Sequence, residues 1–417
     1  MIAEIIRIGT RNIRRNPRRT LTTALSVAMG ACVAMVLIGT RQSTYDRLIA
    51  SAAMSGYGIV NVSQPGYLAD PTPSSRIQFD DKTLKSLKQI RGIQEVSPRV
   101  SAAAVVYTAK NSTGARLLGV DPRFETATNN LMISAISSGV KIQQGVSDDC
   151  LVGSALANQL GLKIGHKMVF TTTDAQGQIV SNIVHVGGIF HTGSPELDGH
   201  VAILPITLLQ RTLGYEPNEA SFLALYSAPE TVSKDLVTAV KKKISGSAVA
   251  KAHVAFWRES FPEVAQTIDI DATLNTMLLI FAAVIISTGI LNAMMLNIIE
   301  RRREFGIMLA TGMSPGNIIF MVAWEGFILG VIGLVIGAIA ATPIYYYLHN
   351  VGLDLSAFIG EQRDKTVVAM DQLVGCRLSV KQAISVASGL MIMSLVAGLY
   401  PACKAAFTVP IKAIRSQ

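Results

Sequence analysis

Apolar residues in this chain gather into blocks, and the blocks set its architecture. Thr20–Thr40, Ala272–Ile299, Gly326–Asn350 and Gln382–Cys403 contain no Asp, Glu, Lys or Arg. Each reaches the ~20 residues that an α-helix needs to cross a hydrocarbon core. One such run can be a buried helix of a water-soluble domain. Four of them, each flanked by charge, predict spanning helices over 20–40, 272–299, 318–348 and 382–403. What remains is a leader over 1–19, a long segment over 41–271, a turn over 300–317, a loop over 349–381 and a tail over 404–417. In the leader, Ile2, Ile5, Ile6 and Ile13 share one helical face, and Arg7, Arg11, Arg14 and Arg18 share the opposite one. That pattern predicts an amphipathic helix lying in the headgroup plane against lipid, ended by Pro17. It also favours an uncleaved first span over a signal peptide, although Met29-Gly30-Ala31-Cys32 faintly resembles a lipoprotein cleavage box.

The 41–271 segment has the mixed periodicities of a globular α+β domain, with two subdomains expected. Gly58–Val62 and Ala102–Tyr107 are strand-like, and Leu118–Pro122 is a strand running into a turn. Asp81–Ile90 places Leu84, Leu87 and Ile90 on one helical side. Ser154–Leu160 reads as a helix stopped by Gly161. Lys167–Thr173 and Ile183–Phe190 predict a β-hairpin around Asp174–Gly177. Leu204–Leu213 and Val232–Lys243 predict further helices. The fold class expected is therefore four membrane helices with a large α+β domain inserted between the first and second.

Charge then orients the spans. The formal net charge is +9, and the leader, the 300–317 turn and the tail together account for all of it. The 41–271 segment is nearly balanced, with 21 basic and 20 acidic residues. Lys and Arg concentrated beside span ends mark the cytosolic side. Both termini and the turn are therefore expected in the cytosol, and the large domain outside it. Basic residues placed this way report topology and exclude nucleic acid as a partner. Cys150 and Cys376 both fall on the outer side, where sequence leaves their pairing open.

No pattern of catalytic or metal-binding residues appears. The six His never take zinc-ligand spacing with a Cys or carboxylate partner. His191, Asp198 and His200 cluster as a polar turn or, less simply, a metal site. The 41–271 segment has no Gly-x-Ser-x-Gly elbow. Gly161–Met168 lacks the Gly-Lys-Ser/Thr of a phosphate-cradling loop. Chemistry is expected elsewhere, with no cofactor in this chain and any ATP and Mg held by a partner.

The most informative stretch follows the second span. Glu300, Arg301, Arg302, Arg303, Glu304, Phe305, Gly306, Ile307, Met308 and Leu309 form a charged turn entering an amphipathic piece, broken at Gly312 and Pro315. Exposed apolar residues beside charge suit either docking of a cytosolic protein or an interfacial helix resting on lipid. Glu325, an ionisable group at a membrane boundary, serves either transport chemistry or pairing with an Arg. Gly326, Gly330, Gly333 and Gly337 lie on one helical stripe, where another helix can approach closely. Pro343 should bend or end that helix.

Trp257–Pro262, Glu300–Pro315, Trp324-Glu325-Gly326 with its glycines, and Leu399–Ala402 followed by Val409–Ile414 resemble the FtsX-like permeases of ABC transporters. That family includes MacB-type efflux permeases and Lol-type lipoprotein-releasing permeases. Leu151–Gly161 and Gly188–Asp198 are similar to the Lol-type branch. The resemblance implies a non-catalytic inner-membrane permease that couples ATP hydrolysis in a separate ATPase subunit to movement of an amphiphile, most simply a lipoprotein, at the outer leaflet. It implies that Glu300, Arg301, Arg302, Arg303, Glu304, Phe305, Gly306 and Gly312 belong to the coupling helix. A second permease chain, identical or homologous, is expected because four spans are few for a pathway, and the glycine face is a candidate contact with it. MacB-type chains often carry a fused N-terminal ATPase, which is not expected here. The Asp174–Gly177 tip is shorter than the hook of the carrier-binding Lol member. Either this chain is the partner without the hook, or no periplasmic carrier or adaptor is served. The alternative function is mechanotransmission, in which the outer domain activates a periplasmic enzyme or efflux partner and nothing crosses.

Overall fold

A computed structural model of the chain describes residues 17–126, 128–140, 148–228, 231–247, 249–354 and 373–407, together with Arg7 and Arg11. The rest of the leader and the Val409–Ile414 stretch lie outside the described residues. Two compact units are present, a helical unit built from 17–44, 269–354 and 373–407, and an α/β unit within 45–268.

In the α/β unit, the chain leaves helix α1 (Pro17–Ala52) through a π-helical turn over Ala53–Tyr57. It then forms a ten-stranded sheet with flanking helices. Strand β1 (Val60–Ser63) precedes α2 (Asp81–Lys88), whose N-terminus is capped by Asp80 accepting from Thr83 N at 2.8 Å. The 15-residue strand β2 (Ile93–Tyr107) follows, then β3 (Ser112–Val120), β4 (Ile136–Gly139) and β5 (Asp149–Gly153). Helix α3 (Ser154–Leu160) ends where Gly161 turns left-handed at φ 65°. Strands β6 (Lys167–Thr173) and β7 (Ile179–Phe190) form the expected hairpin. Asp174 Oδ1 organises its tip by accepting from Gln176 N and Gln178 N at 2.9 and 2.8 Å. β7 begins four residues before the predicted strand, because Val180, Ser181 and Asn182 blur the apolar alternation. The helix predicted over 204–213 is split at its start: β8 (Val201–Pro205) takes Leu204, and α4 (Ile206–Leu213) follows Pro205. The unit finishes with β9 (Phe222–Ser227), α5 (Lys234–Ile244) and β10 (His253–Phe256).

Six of these strands close on themselves in the order β2-β3-β8-β5-β7-β6, with β6 returning to β2. Two neighbours in this ring, β3–β8 and β5–β7, run parallel. Val106, Leu117, Met168, Phe170, Val184 and Ala202 fill the ring, with Leu156 and Leu209 from α3 and α4. Full burial of a large apolar side chain is worth about 1.5–3 kcal/mol. The second core lies where β10-β1-β9 meet the first half of β2. There Val60, Val62, Leu223 and Leu225 pack under Leu84 and Leu87 of α2 and Leu236 and Val240 of α5. The anticipated subdomains are thus cores on one continuous sheet joined by β2, with a third cluster of Tyr67, Leu118, Met132, Leu151, Phe190 and Phe222 beside them.

The helical unit contains most of α1 and α6 (Pro262–Glu300), then α7 (Arg302–Ala310), α8 (Pro315–Asn350) and α9 (Val380–Ala406). Among the described residues, four helices are long and apolar enough to cross a membrane, namely α1, α6, α8 and α9. Helices α1 and α6 extend well beyond their charge-free stretches, and Arg41 Nη1 meets Asp271 Oδ2 at 2.5 Å just past the apolar part of each. Pro343 does not end α8, which continues to Asn350.

The glycine stripe is occupied from within the chain, contrary to the expected contact with a second permease. A Cβ on Gly326 would meet Met294 of α6, and one on Gly330 would meet Ser394 of α9. At Gly333 it would fall 2.5 Å from Val27 Cβ of α1, and at Gly337 2.8 Å from Ala31 Cβ. Bare backbone lets α8 pack against three neighbours at once.

Candidate functional site

Between α6 and α7 stands one residue, Arg301, with non-helical backbone (φ −99°, ψ 9°). Gly312 (φ 93°) makes the turn beyond α7, a conformation suited to glycine. Ser314 then caps α8, with Pro315 in its first turn. The result is a nine-residue helix suspended between two long apolar ones.

Its two faces differ. Phe305 is 1% exposed and packs with Ile318, Met321, Val322, Ala402 and Ala405. Gly306 is also buried, and Met308 and Leu309 rest against the same cluster. The outward face carries Arg302, Arg303, Ile307 and Ala310, with Gly312 beyond and Glu300 exposed before it. The expectation of a surface made by Phe305, Ile307, Met308 and Leu309 is corrected accordingly. Only Ile307 is strongly exposed, at 49%, because the other three anchor the helix to the unit's core.

Arg301 belongs with the buried set rather than with its basic neighbours. Its Nη1 donates to Glu325 Oε2 at 3.1 Å, and its Nε donates to Glu304 Oε2 at 2.9 Å. The guanidinium lies 5.1 Å over the Phe305 ring. Asn297, one turn earlier on α6, donates to Glu325 Oε1 at 2.9 Å. Of the two roles open to Glu325, the geometry shows the pairing with an Arg. Asn297 escaped the sequence reading, although its i, i+4 relation to Arg301 would have placed both on one face of a helix continued through the turn. Ser394 of α9 also approaches, donating to Gly326 O at 3.4 Å.

The α/β unit holds its own polar clusters. Asp198 Oδ1 accepts from Thr192 N and Oγ1, both at 2.8 Å, and Oδ2 accepts from Gly193 N at 3.1 Å. His191 Nδ1 approaches both Asp198 Oδ2, at 3.0 Å, and Ser154 Oγ, at 2.9 Å. A relay for nucleophilic catalysis needs two different ring nitrogens, so Ser154, His191 and Asp198 form a loop staple. His200 turns away toward Gly114 O at 3.4 Å, and no group of potential metal ligands occurs among the described residues.

Arg99 is fully buried. Its Nη1 lies 2.6 Å from Glu125 Oε1, and its Nη2 donates to Glu125 Oε2 at 3.0 Å and to Tyr226 Oη at 2.9 Å. Burial alone would weaken its hold on the proton, but Glu125 and then Tyr226 outweigh that and its pKa is raised. All four cysteines are free thiols. Burial, helped by Asp149, pushes the Cys150 thiol up to about 12.

Two family models match the chain. The FtsX-like permease C-terminal model covers residues 276–410, which takes in α7 and its buried anchors. The MacB-like periplasmic core domain model covers residues 20–250, more than half of the sequence. The chain belongs to the FtsX/MacB-type family and is an ABC transporter permease. Within that family it stands close to the LolC proteins. The lipoprotein-releasing system transmembrane protein LolC of Haemophilus influenzae is 22% identical over 347 residues, 80% of each chain. An uncharacterized ABC transporter permease of Bacillus subtilis, YknZ, is 21% identical over 99% of each. Among solved structures, the periplasmic region of MacB from Actinobacillus actinomycetemcomitans covers 52% of this chain and 94% of its own, at 11% identity and a TM-score of 0.35.

Proposed function

We propose that this chain is the membrane subunit through which a separate ATPase, holding ATP and Mg, drives an amphiphilic cargo from the outer leaflet of an inner membrane. In this reading both termini and α7 face the cytosol, the α/β unit faces the periplasm, and two permease chains, identical or homologous, assemble with the ATPase. Lipoproteins are the favoured cargo, because the LolC relatives are named for lipoprotein release.

The observation that carries the reading is the two-faced α7. Its inner face is fixed by Phe305 and Arg301, while Arg302, Arg303 and Ile307 stand outward. A short, firmly anchored helix with a basic and apolar outer face can be pushed as a body, as a contact for a nucleotide-driven partner must be. Arg302→Glu with Arg303→Glu should lower the ATPase recovered with the purified permease about tenfold, equivalent to ~1.4 kcal/mol. Undiminished recovery would remove α7 as the contact. Arg301 is left unaltered in that experiment, because reversing a buried charge would disturb the anchor itself.

Mechanotransmission without transport draws support from a different observation. α1 and α6 are continuous helices, and Tyr45, Leu48 and Ile49 at the end of α1 and Ala265 and Ile268 at the start of α6 belong to a core of the α/β unit. Movement of these helices would be felt there even with no cargo present. Release of radiolabelled lipoprotein from proteoliposomes on ATP addition supports transport; ATP-dependent motion of the α/β unit with no release supports the second reading.

A further inference from the structure

We infer that the Arg301–Glu325 pair is the pin that carries a displacement of α7 into α8. The inference rests on the reading of α7 as the ATPase contact and adds the route by which its movement leaves that helix. Arg301 is the only residue between α6 and α7, and no side chain caps α7 there. A break of one residue would by itself let the short helix pivot at the end of α6. The Arg301 side chain closes that freedom.

Nε reaches forward to Glu304 on α7 at 2.9 Å, and Nη1 reaches across to Glu325 on α8 at 3.1 Å. The second oxygen of Glu325 takes the amide of Asn297, on the last turn of α6, at 2.9 Å. One carboxylate on α8 is therefore held both by α6 and by the break residue, and the same guanidinium holds α7. Three helices meet at a single charge pair.

The side chains of Arg301 and Glu325 are only 9% and 4% exposed. In such surroundings the attraction is little screened, and pulling the partners apart leaves the Glu325 carboxylate buried without a counter-charge. A shift of α7 that left Glu325 behind would have to separate them, whereas a shift that drags Glu325 along keeps the pair intact. Concerted movement of α7 and α8 is the lower-energy response. Phe305, stacked beneath the guanidinium at 5.1 Å, keeps the fork from swinging away.

Two fixed donor directions toward acceptors on two helices are a property of arginine. Lysine retains the charge but presents one ammonium on a flexible stem. Simple neutralisation of Glu325 would be served by either residue, but pinning needs the fork. Arg301→Lys therefore distinguishes the two roles.

The experiment uses the permease bound to its ATPase in lipid nanodiscs. Spin labels sit at Tyr346 near the far end of α8 and at Val396 on α9, both exposed, and their separation is measured before and after vanadate trapping. The unaltered chain should show a change in the distance distribution on trapping as α8 follows. Arg301→Lys and Glu325→Gln should keep the ATPase bound, because Arg302 and Arg303 are intact, yet show the change reduced or lost. A change equal to that of the unaltered chain in both variants overturns the pin. Should Glu325→Gln fail to assemble, Arg301→Lys, which preserves both charges, carries the same test. Retained ATPase binding in the Arg302→Glu, Arg303→Glu variant would overturn the α7 contact instead, so the two failures are distinguishable.

Discussion

Among the described residues each unit of this protein buries one arginine–carboxylate pair, and the two pairs are built differently. In the α/β unit, Arg99 faces Glu125 with two nitrogens on two oxygens, at 2.6 and 3.0 Å, with side chains 0% and 3% exposed. Ser97, Asn130 and Tyr226 complete the shell. Every member is a strand residue or sits in the turn that follows β3, so the cluster clamps a loop onto a sheet. In the helical unit, Arg301 gives Glu325 one bond and Glu304 another, and Asn297 supplies a third from a separate helix. A clamp closed on one carboxylate fixes one geometry. A tie distributed over three helices fixes which parts travel together.

That contrast predicts unequal responses to the same chemistry. Glu125→Gln should destabilise the α/β unit by about 3–5 kcal/mol, since it leaves a buried guanidinium without its counter-charge. Urea-dependent hydrogen exchange of β2 and β9 in the intact chain reads this, and a loss below ~1 kcal/mol would dissolve the distinction. The helical unit should be most sensitive where it has no side chain at all. Gly333→Val drives its Cβ into Val27 and should cost about 1–3 kcal/mol, visible as a lower melting temperature in detergent. Gly289→Val, with nothing within 4 Å of a new Cβ, should melt close to the parent; equal effects would mean the stripe is not a packing face.

A smaller effect comes from Cys150. Its thiol stays protonated in the fold up to about 12, whereas an ordinary thiol ionises around 9.0. The raised value favours the folded α/β unit below pH 9.0, and that contribution is lost as pH climbs toward 12. Iodoacetamide at pH 8 should therefore label Cys150 only after denaturation, as followed by mass spectrometry. Rapid labelling of the native protein would show that its site opens readily.

Local patterns carried much of this architecture. Charge-free runs marked four helices, Gly161 marked the end of α3, and Asp174–Gly177 marked the hairpin. The strand ring was not legible, because β3–β8 and β5–β7 are parallel pairings between segments distant in the chain. At the site, the run of three arginines looked uniform in one dimension. Only the break at position 301 shows that the first turns inward while the next two face out. The glycine stripe was visible in the spacing, but spacing holds no information about which helix fills it.

The 24-residue separation of Arg301 from Glu325 also sets an order of events during synthesis. At about 5–20 residues per second, Arg301 emerges from the ribosome roughly one to five seconds before its acceptor does. During that interval Arg301 has Glu304 as a neighbour but no buried carboxylate to meet it, and the charge stays solvated. The end of α6 can settle into its final depth only once the start of α8 has emerged. The nascent chain therefore completes these helices as a pair, and a truncation that stops before Glu325 should leave α6 shallower than it lies in the full-length protein.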